Sequence, residues 1–401
     1  MGFHSINDRD IYTDQLREFI RNGHKVYIVS PSERRNGEPE GLIEEENSVI
    51  LRVVTGNVQK TNIIEKGVST VLIESQFVRA IKKYFAGQKF DLVLYGTPPI
   101  TIVGAIRYIK NRDHAKTYLC LKDIFPQNAV DLGMMSKSGV KGLLYRAFRS
   151  KEKQLYRLSD YIGCMSQANV YYLLRHNPEI DPASVEVCPN SVEVCDRSIG
   201  AEQRRAIREK YGIPQGKKVF LYGGNLGRPQ GIPFLIECLE KCAELEAFFL
   251  IVGDGTEFGK LKAYADSAKQ GNLKLMKRLP KDDYETMIAA CDVGLLFLDH
   301  RFTIPNFPSR MLGYMQAGLP VLACTDPNTD VGQVIVEGGF GWWCESDDAE
   351  GFAALVRQIL ALPEETGKAY GHKAFDYLAK HYSVESTYRT IMRRMEQETA
   401  G

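Results

Sequence analysis

No run of this chain is apolar for long enough to span a bilayer, and no secretory leader is readable at its start, so a soluble, cytosolic chain is expected. Charge of one sign is lacking too. With 51 Lys and Arg against 50 Asp and Glu, the net charge of +1 excludes the global basic excess of a nucleic-acid binder. The seven histidines are scattered without ligand spacing, and no Ser/His/Asp set emerges, so neither a metal site nor a hydrolytic triad is expected. Nine cysteines, an odd number with several in apolar runs such as TYLCLKD, exclude a disulfide framework and read as buried thiols. Cys238 and Cys242 share a helix face, but nothing completes a zinc site around them.

What is present is a repeated alternation of helix and apolar strand. The 401 residues, 44% of them apolar, suffice for two domains with separate cores. Ile11–Gly23 has the spacing of an amphipathic helix closed by glycine, and Val26–Val29 then reads as a buried strand. That order normally follows the first strand of a doubly wound sheet, yet Met1–Asp10 is polar. The expectation is therefore that Met1 is an internal methionine of a longer natural chain whose first strand lies upstream.

Strands are expected at Val49–Val54, Phe90–Tyr95, Lys116–Leu121, Tyr161–Met165 and Val185–Cys188, with helices between them. After Pro189 the pattern restarts, with strands at Lys218–Tyr222, Ala247–Val252, Leu273–Met276, Asp292–Leu298 and Val321–Ala323. Two such series imply an α/β protein of two Rossmann-like doubly wound domains facing across a cleft. The boundaries fall at 1–197 and 198–383, and a last helix in 384–401 is free to cross back to the first domain.

Four places carry candidate chemistry. In the second half, the stretch NFPSRMLGYMQAGLPVLA predicts a helix from Ser309 to Gln316, stopped by Gly318 and Pro320. Ser309 is expected to cap it, and Arg310, a cation poorly placed in a first turn, gains a reason if an anion binds there. At the restart, Gly223-Gly224-Asn225 follows a strand; amides freed by glycine suit a phosphate, with Arg228 and Gln230 as nearby donors, although a tight turn explains the glycines equally well. In the first half, Asp123 follows a strand's carboxyl end, beside Lys122; a catalytic carboxylate and a helix cap are both open. The helix Val140–Leu158, carrying Lys141, Arg146 and Arg149, and the stretch with Lys82 and Lys83 interleave cations with apolar residues. They suit either an anionic membrane surface or a solvated helix face.

Taken together, the segments YGGNLGRPQG, IVGDG, CDVGLLF and FPSRMLGYMQAGLPVLA, preceded by RNGHKVYIVSP, KDIFPQ and EVCPNSVE, resemble in order the motifs of family 4 glycosyltransferases of the GT-B fold. The resemblance runs over nearly the whole chain and is strongest to the branch that builds bacterial surface polysaccharides such as capsule and O-antigen. It implies a retaining transferase that moves a sugar from a nucleotide-diphosphate sugar, expected to be a UDP-sugar, to a glycan or polyprenyl-linked acceptor at the inner face of the plasma membrane. No metal and no separate cofactor are expected, and no nucleic acid. It also implies roles: Gly224, Asn225, Arg228, Gln230, Ser309 and Arg310 around the diphosphate, Arg278 and Leu279 beside the base, and Asp123 with Lys122 at the acceptor.

This chain departs from the family pattern at definite positions. The two glutamates usual near the second-half helix are Pro305 and Gly313, and the His usual beside the first-half aspartate is Lys122. Two alternatives follow: a non-catalytic nucleotide-sugar-binding subunit, and a nucleotide-sugar epimerase of the same fold.

Overall fold

The structure, a computed structural model, describes residues 3–57, 63–268 and 271–396, the side chains of 63–68, 70, 71, 140 and 141 excepted. The chain divides into two compact units, Met1–Glu193 with Val384–Gly401, and Val194–Ser383.

In the first unit Asp10 opens α1 (Ile11–Arg21), its carboxylate accepting from the amides of Tyr12 at 2.7 Å and Thr13 at 3.0 Å. Such a cap contributes about 1 kcal/mol. β1 (Val26–Glu33) pairs in parallel with β3 (Ser48–Thr55), and β2 (Gly41–Glu45) lies antiparallel on β3's other side. β2 was not foreseen. Its GLIEE sequence ends in two acidic residues, yet Glu46-Asn47 forms the two-residue turn of a hairpin, with Asn47 at φ +58°.

After α2 (Ile63–Tyr84) come β4 (Leu92–Gly96), α3 (Val103–Asp113), β5 (Lys116–Leu121), α4 (Gln127–Asp131), α5 (Gly139–Leu158), β6 (Tyr161–Cys164), α6 (Gln167–His176) and β7 (Val185–Val187). The order β4-β5-β6-β7 forms a second, all-parallel sheet. Val26, Ile28 and Ile50 of the first sheet share one core with Tyr118 and Cys120 of the second. Among the described residues no strand pairs with the outer edge of β1 or of β4.

The second unit begins with α7 (Ala201–Lys210) and continues through β8 (Lys218–Asn225), α8 (Ile232–Lys241), β9 (Ala247–Asp254), α9 (Phe258–Ser267), β10 (Leu273–Met276), α10 (Lys281–Ala289), β11 (Val293–Phe297), α11 (Arg310–Gln316) and β12 (Val321–Thr325). α12 (Val331–Glu337), β13 (Gly341–Glu345), α13 (Ala349–Ala361) and α14 (Glu364–His381) complete it, and α15 (Val384–Glu396) packs beside α1 in the first unit.

The strand order β10-β9-β8-β11-β12-β13 is that of a doubly wound sheet whose winding reverses between β8 and β11. β11 and β12 are buried along their whole length, as parallel strands covered on both faces must be. Below them, Asp292 accepts from Arg208 at 2.7 Å and from the amide of Val219 at 2.7 Å, tying α7 to the foot of β8.

β8 runs further than expected. Gly223, Gly224 and Asn225 pair with Val252, Gly253 and Asp254, so the glycines belong to the strand and the turn begins at Leu226. A Cβ at residue 253 would strike the carbonyl of Gly224, so glycine there lets the strands stay in register.

Candidate functional site

The switch point of the second unit is where sequence-distant groups converge. Arg310, first residue of α11, reaches across to the end of β8: Nη1 donates to the Gly223 carbonyl at 3.3 Å, and the guanidinium carbon stands 4.7 Å from the ring centroid of Tyr222. Gly224 has φ +125°, a region open to glycine, and a Cβ built there would lie 3.6 Å from the guanidinium carbon.

Three phenols enclose this cation. Tyr222 donates to the Asn225 carbonyl at 2.8 Å, Tyr314 accepts from the Gly223 amide at 3.1 Å, and the Tyr284 hydroxyl fills the space a Cβ on Gly223 would need. Burial pushes all three hydroxyls up, Tyr314 to about 12, so they are neutral at physiological pH. Among the described residues no carboxylate lies within ion-pair distance of Arg310. A half-buried cation without a counter-charge is a site made for an anion.

The other candidates of this unit fall out differently. Gln230 is buried, and its Oε1 accepts from the Gly227 amide at 3.2 Å and from Asn225 at 3.1 Å. Its carbonyl oxygen therefore organises the turn, while its amide NH2 remains the donor that the sequence reading called on. Arg228 is exposed and leans toward Glu257, 3.9 Å away. Ser309 makes no capping hydrogen bond; it is itself in helical conformation, so its hydroxyl cannot reach back to the first-turn amides. Arg278 is exposed and Leu279 half-buried just past β10, at the carboxyl edge of the sheet and two strands from β8. A Cβ at position 313 would meet nothing closer than the Ile288 Cδ1 at 3.8 Å.

In the first unit, Asp123 follows β5 and its main chain is held by Thr97, whose Oγ1 donates to the Asp123 carbonyl at 3.0 Å. Asp123 is exposed, yet the protein around it raises its pKa against the pull of Lys122. Burial lowers the pKa of Lys122, whose Nζ sits 3.9 Å from the ring centroid of Tyr12. Desolvation also pushes Tyr12 up to about 12. Tyr12 had no signal in the sequence beyond its place on an amphipathic helix.

The basic residues differ in their surroundings. Arg149 is committed to Glu152 at 2.6 Å and Asn177 at 2.6 Å. Lys82 lies over the Tyr108 ring and Lys83 donates to Tyr84. Arg146 is exposed beside Leu143 and Leu144, which expose 61% and 52% of their surface, and the Lys141 side chain lies outside the described residues. Phe148, on the same helix, packs its ring 5.1 Å from that of Phe125, two residues past Asp123. Among the described residues no three His, Cys, Asp or Glu side chains gather to hold a metal, and no helix is long and apolar enough to cross a membrane.

Comparison with known proteins identifies both domains. Residues 12–194 match the model described as Glycosyltransferase Family 4, and residues 203–376 match Glycosyl transferases group 1. The chain thus carries a Glycosyltransferase Family 4 domain followed by a Glycosyl transferases group 1 domain. It is 26% identical to the probable glycosyltransferase WbjE of Pseudomonas aeruginosa over 76% of this chain and 74% of that protein. To the putative colanic acid biosynthesis glycosyl transferase WcaI of Escherichia coli it is 26% identical over 43% of each. Among solved structures, Anabaena HepE in complex with UDP and glucose superposes with a TM-score of 0.66 at 13% identity, covering 93% of this chain and 99% of that one. The fold is thus GT-B, with parallel sheets in two Rossmann-like domains.

Proposed function

We propose that this glycosyltransferase moves a sugar, with retention, from a UDP-sugar to a glycan or polyprenyl-linked acceptor in cell-surface polysaccharide biosynthesis. The observation that carries the reading is Arg310, held without a counter-charge against the exposed Gly224 at the sheet's switch point. A leaving diphosphate gains negative charge as the glycosidic bond breaks, and a cation fixed in advance stabilises that charge more than it stabilises the intact donor. HepE, of the same fold, was solved with UDP and glucose, which supports uridine as the base to test first.

Asp123 and Lys122 serve as the acceptor end of this reading, the carboxylate orienting the incoming hydroxyl. For the membrane face, the exposed Leu143 and Leu144 with Arg146 support docking on an anionic surface better than the engaged Arg149, Lys82 and Lys83 do. A non-catalytic binding subunit is the second reading, favoured by Gly313 and Pro305 standing where ribose-binding carboxylates are usual. Incubation with UDP-, GDP- and ADP-sugars, with and without lipid-linked acceptor, separates the two. Acceptor-dependent release of nucleoside diphosphate is the expected result. Saturable binding without release in any arm sinks the transferase reading.

A further inference from the structure

We propose that Tyr222 is the positioning residue that locks the Arg310 cation to the end of β8, so that guanidinium and strand backbone meet a diphosphate as one preformed unit. The proposal rests on the nucleotide-diphosphate reading of this site.

Tyr222 is fully buried and makes two different contacts with two different parts of the site. Its ring face carries the guanidinium of Arg310, and its hydroxyl donates to the carbonyl of Asn225, three residues further along the same strand. Side chains two apart on a strand share a face, so Tyr222 and Gly224 lie on the side that Arg310 approaches. Tyr222 supplies the platform, and Gly224 supplies the gap through which the guanidinium comes near the backbone.

Arg310 has few other restraints. Its hydrogen bond to the Gly223 carbonyl is long at 3.3 Å. A flexible cation loses conformational freedom when it grips a ligand, and a side chain already seated on an aromatic face loses less. Through its hydroxyl, Tyr222 also keeps the Asn225 carbonyl engaged at the point where the strand gives way to the turn. A purely structural tyrosine would fill the core without touching either the cation or the turn.

The test is a double-mutant cycle on the full chain, read by calorimetric titration of UDP and of uridine. Tyr222→Leu removes ring and hydroxyl, Tyr222→Phe keeps the ring, and each is measured alone and with Arg310→Ala. The expected result is that Tyr222→Leu weakens UDP about tenfold and uridine little, that Tyr222→Phe recovers most of that loss, and that Tyr222→Leu has no further effect once Arg310 is alanine. Equal losses for UDP and uridine, or a full tenfold loss persisting in the Arg310→Ala background, overturns the positioning role. So does a Phe variant as weak as the Leu variant. Should Tyr222→Leu fail to fold, the Phe variant and its Arg310→Ala partner still decide: a large, UDP-specific loss in the Phe variant refutes the ring platform. If instead Arg310→Ala alone leaves UDP affinity untouched, or wild-type protein binds none of UDP, GDP and ADP, the diphosphate reading itself fails.

Discussion

Arg310→Ala gives a sharp test because its effects on ligand and on fold are expected to differ in kind. In the free protein the substitution removes a cation–π contact of about 2 kcal/mol and a long hydrogen bond of about 1 kcal/mol. It also removes a half-buried, unpaired charge whose partial desolvation opposes folding, so the terms offset and stability stays within about 2 kcal/mol of wild type. For a domain of this size that is a melting shift of a few degrees in either direction. With ligand the balance is one-sided. A charge-assisted phosphate contact contributes about 1.5–3 kcal/mol, which makes nucleoside diphosphate binding roughly 10- to 150-fold weaker without it. At a UDP concentration about 100 times the wild-type Kd, ligand adds about 2.7 kcal/mol to wild-type stability; a variant bound 100-fold more weakly gains only about 0.4 kcal/mol. Thermal unfolding with and without UDP, and with uridine as control, reads both quantities. A variant that loses several kcal/mol as free protein while its UDP-induced shift survives would show that Arg310 serves the fold and refute the argument.

Further outcomes follow from the same structure. Asp123→Asn is expected to leave UDP affinity within twofold and to lower turnover at least tenfold; unchanged turnover removes Asp123 from the reaction. Because desolvation raises the Asp123 pKa, turnover should climb with pH on the acid side, and that limb should vanish in the Asn variant. The same shift has a stability consequence of definite sign: the contribution is fully present below the unfolded pKa and is lost as pH rises through the folded one. Asp292→Ala should be among the most damaging substitutions in the second unit. It leaves Arg208, 3% exposed, as an uncompensated charge at the foot of the sheet, at a cost of about 3–5 kcal/mol by denaturant titration. A cost below 1 kcal/mol would mean that the backbone carbonyls around Arg208 suffice.

The legible parts of the sequence were those where local pattern and tertiary role coincide. β5 and β10 have the bounds expected from the sequence, and β11 and β12 could be located because buried parallel strands are largely apolar. Gly318, at φ +65°, stops α11 as its position after the helix foretold. Legibility failed where a partner decides. β2 ends in two acidic residues and becomes a strand because the edge of β3 receives it. Gly223-Gly224-Asn225 looks like a turn until β9 pairs with it. The strand β13 and the helices between Val331 and His381 went unread, although GWWCE and the spacing of Phe352, Val356 and Ile359 carry ordinary signals.

The candidate site shows the same limit more severely. Arg310 was singled out because a cation in a first helical turn is locally wrong, and local wrongness is visible in one dimension. Tyr222, Tyr284 and Tyr314 were not, because each is locally right: one in a buried strand, two on apolar helix faces. Their meaning lies in convergence on residues 223 to 225 and on Arg310, from three elements up to 92 positions apart (222 to 314). Ser309 errs in the opposite direction. Serine has a standard local use as a cap, and that use is overridden by backbone geometry that only the assembled loop fixes. A functional group that breaks a local rule can thus be found from sequence, whereas the groups that hold it in place obey every rule and are recognised only by what they touch.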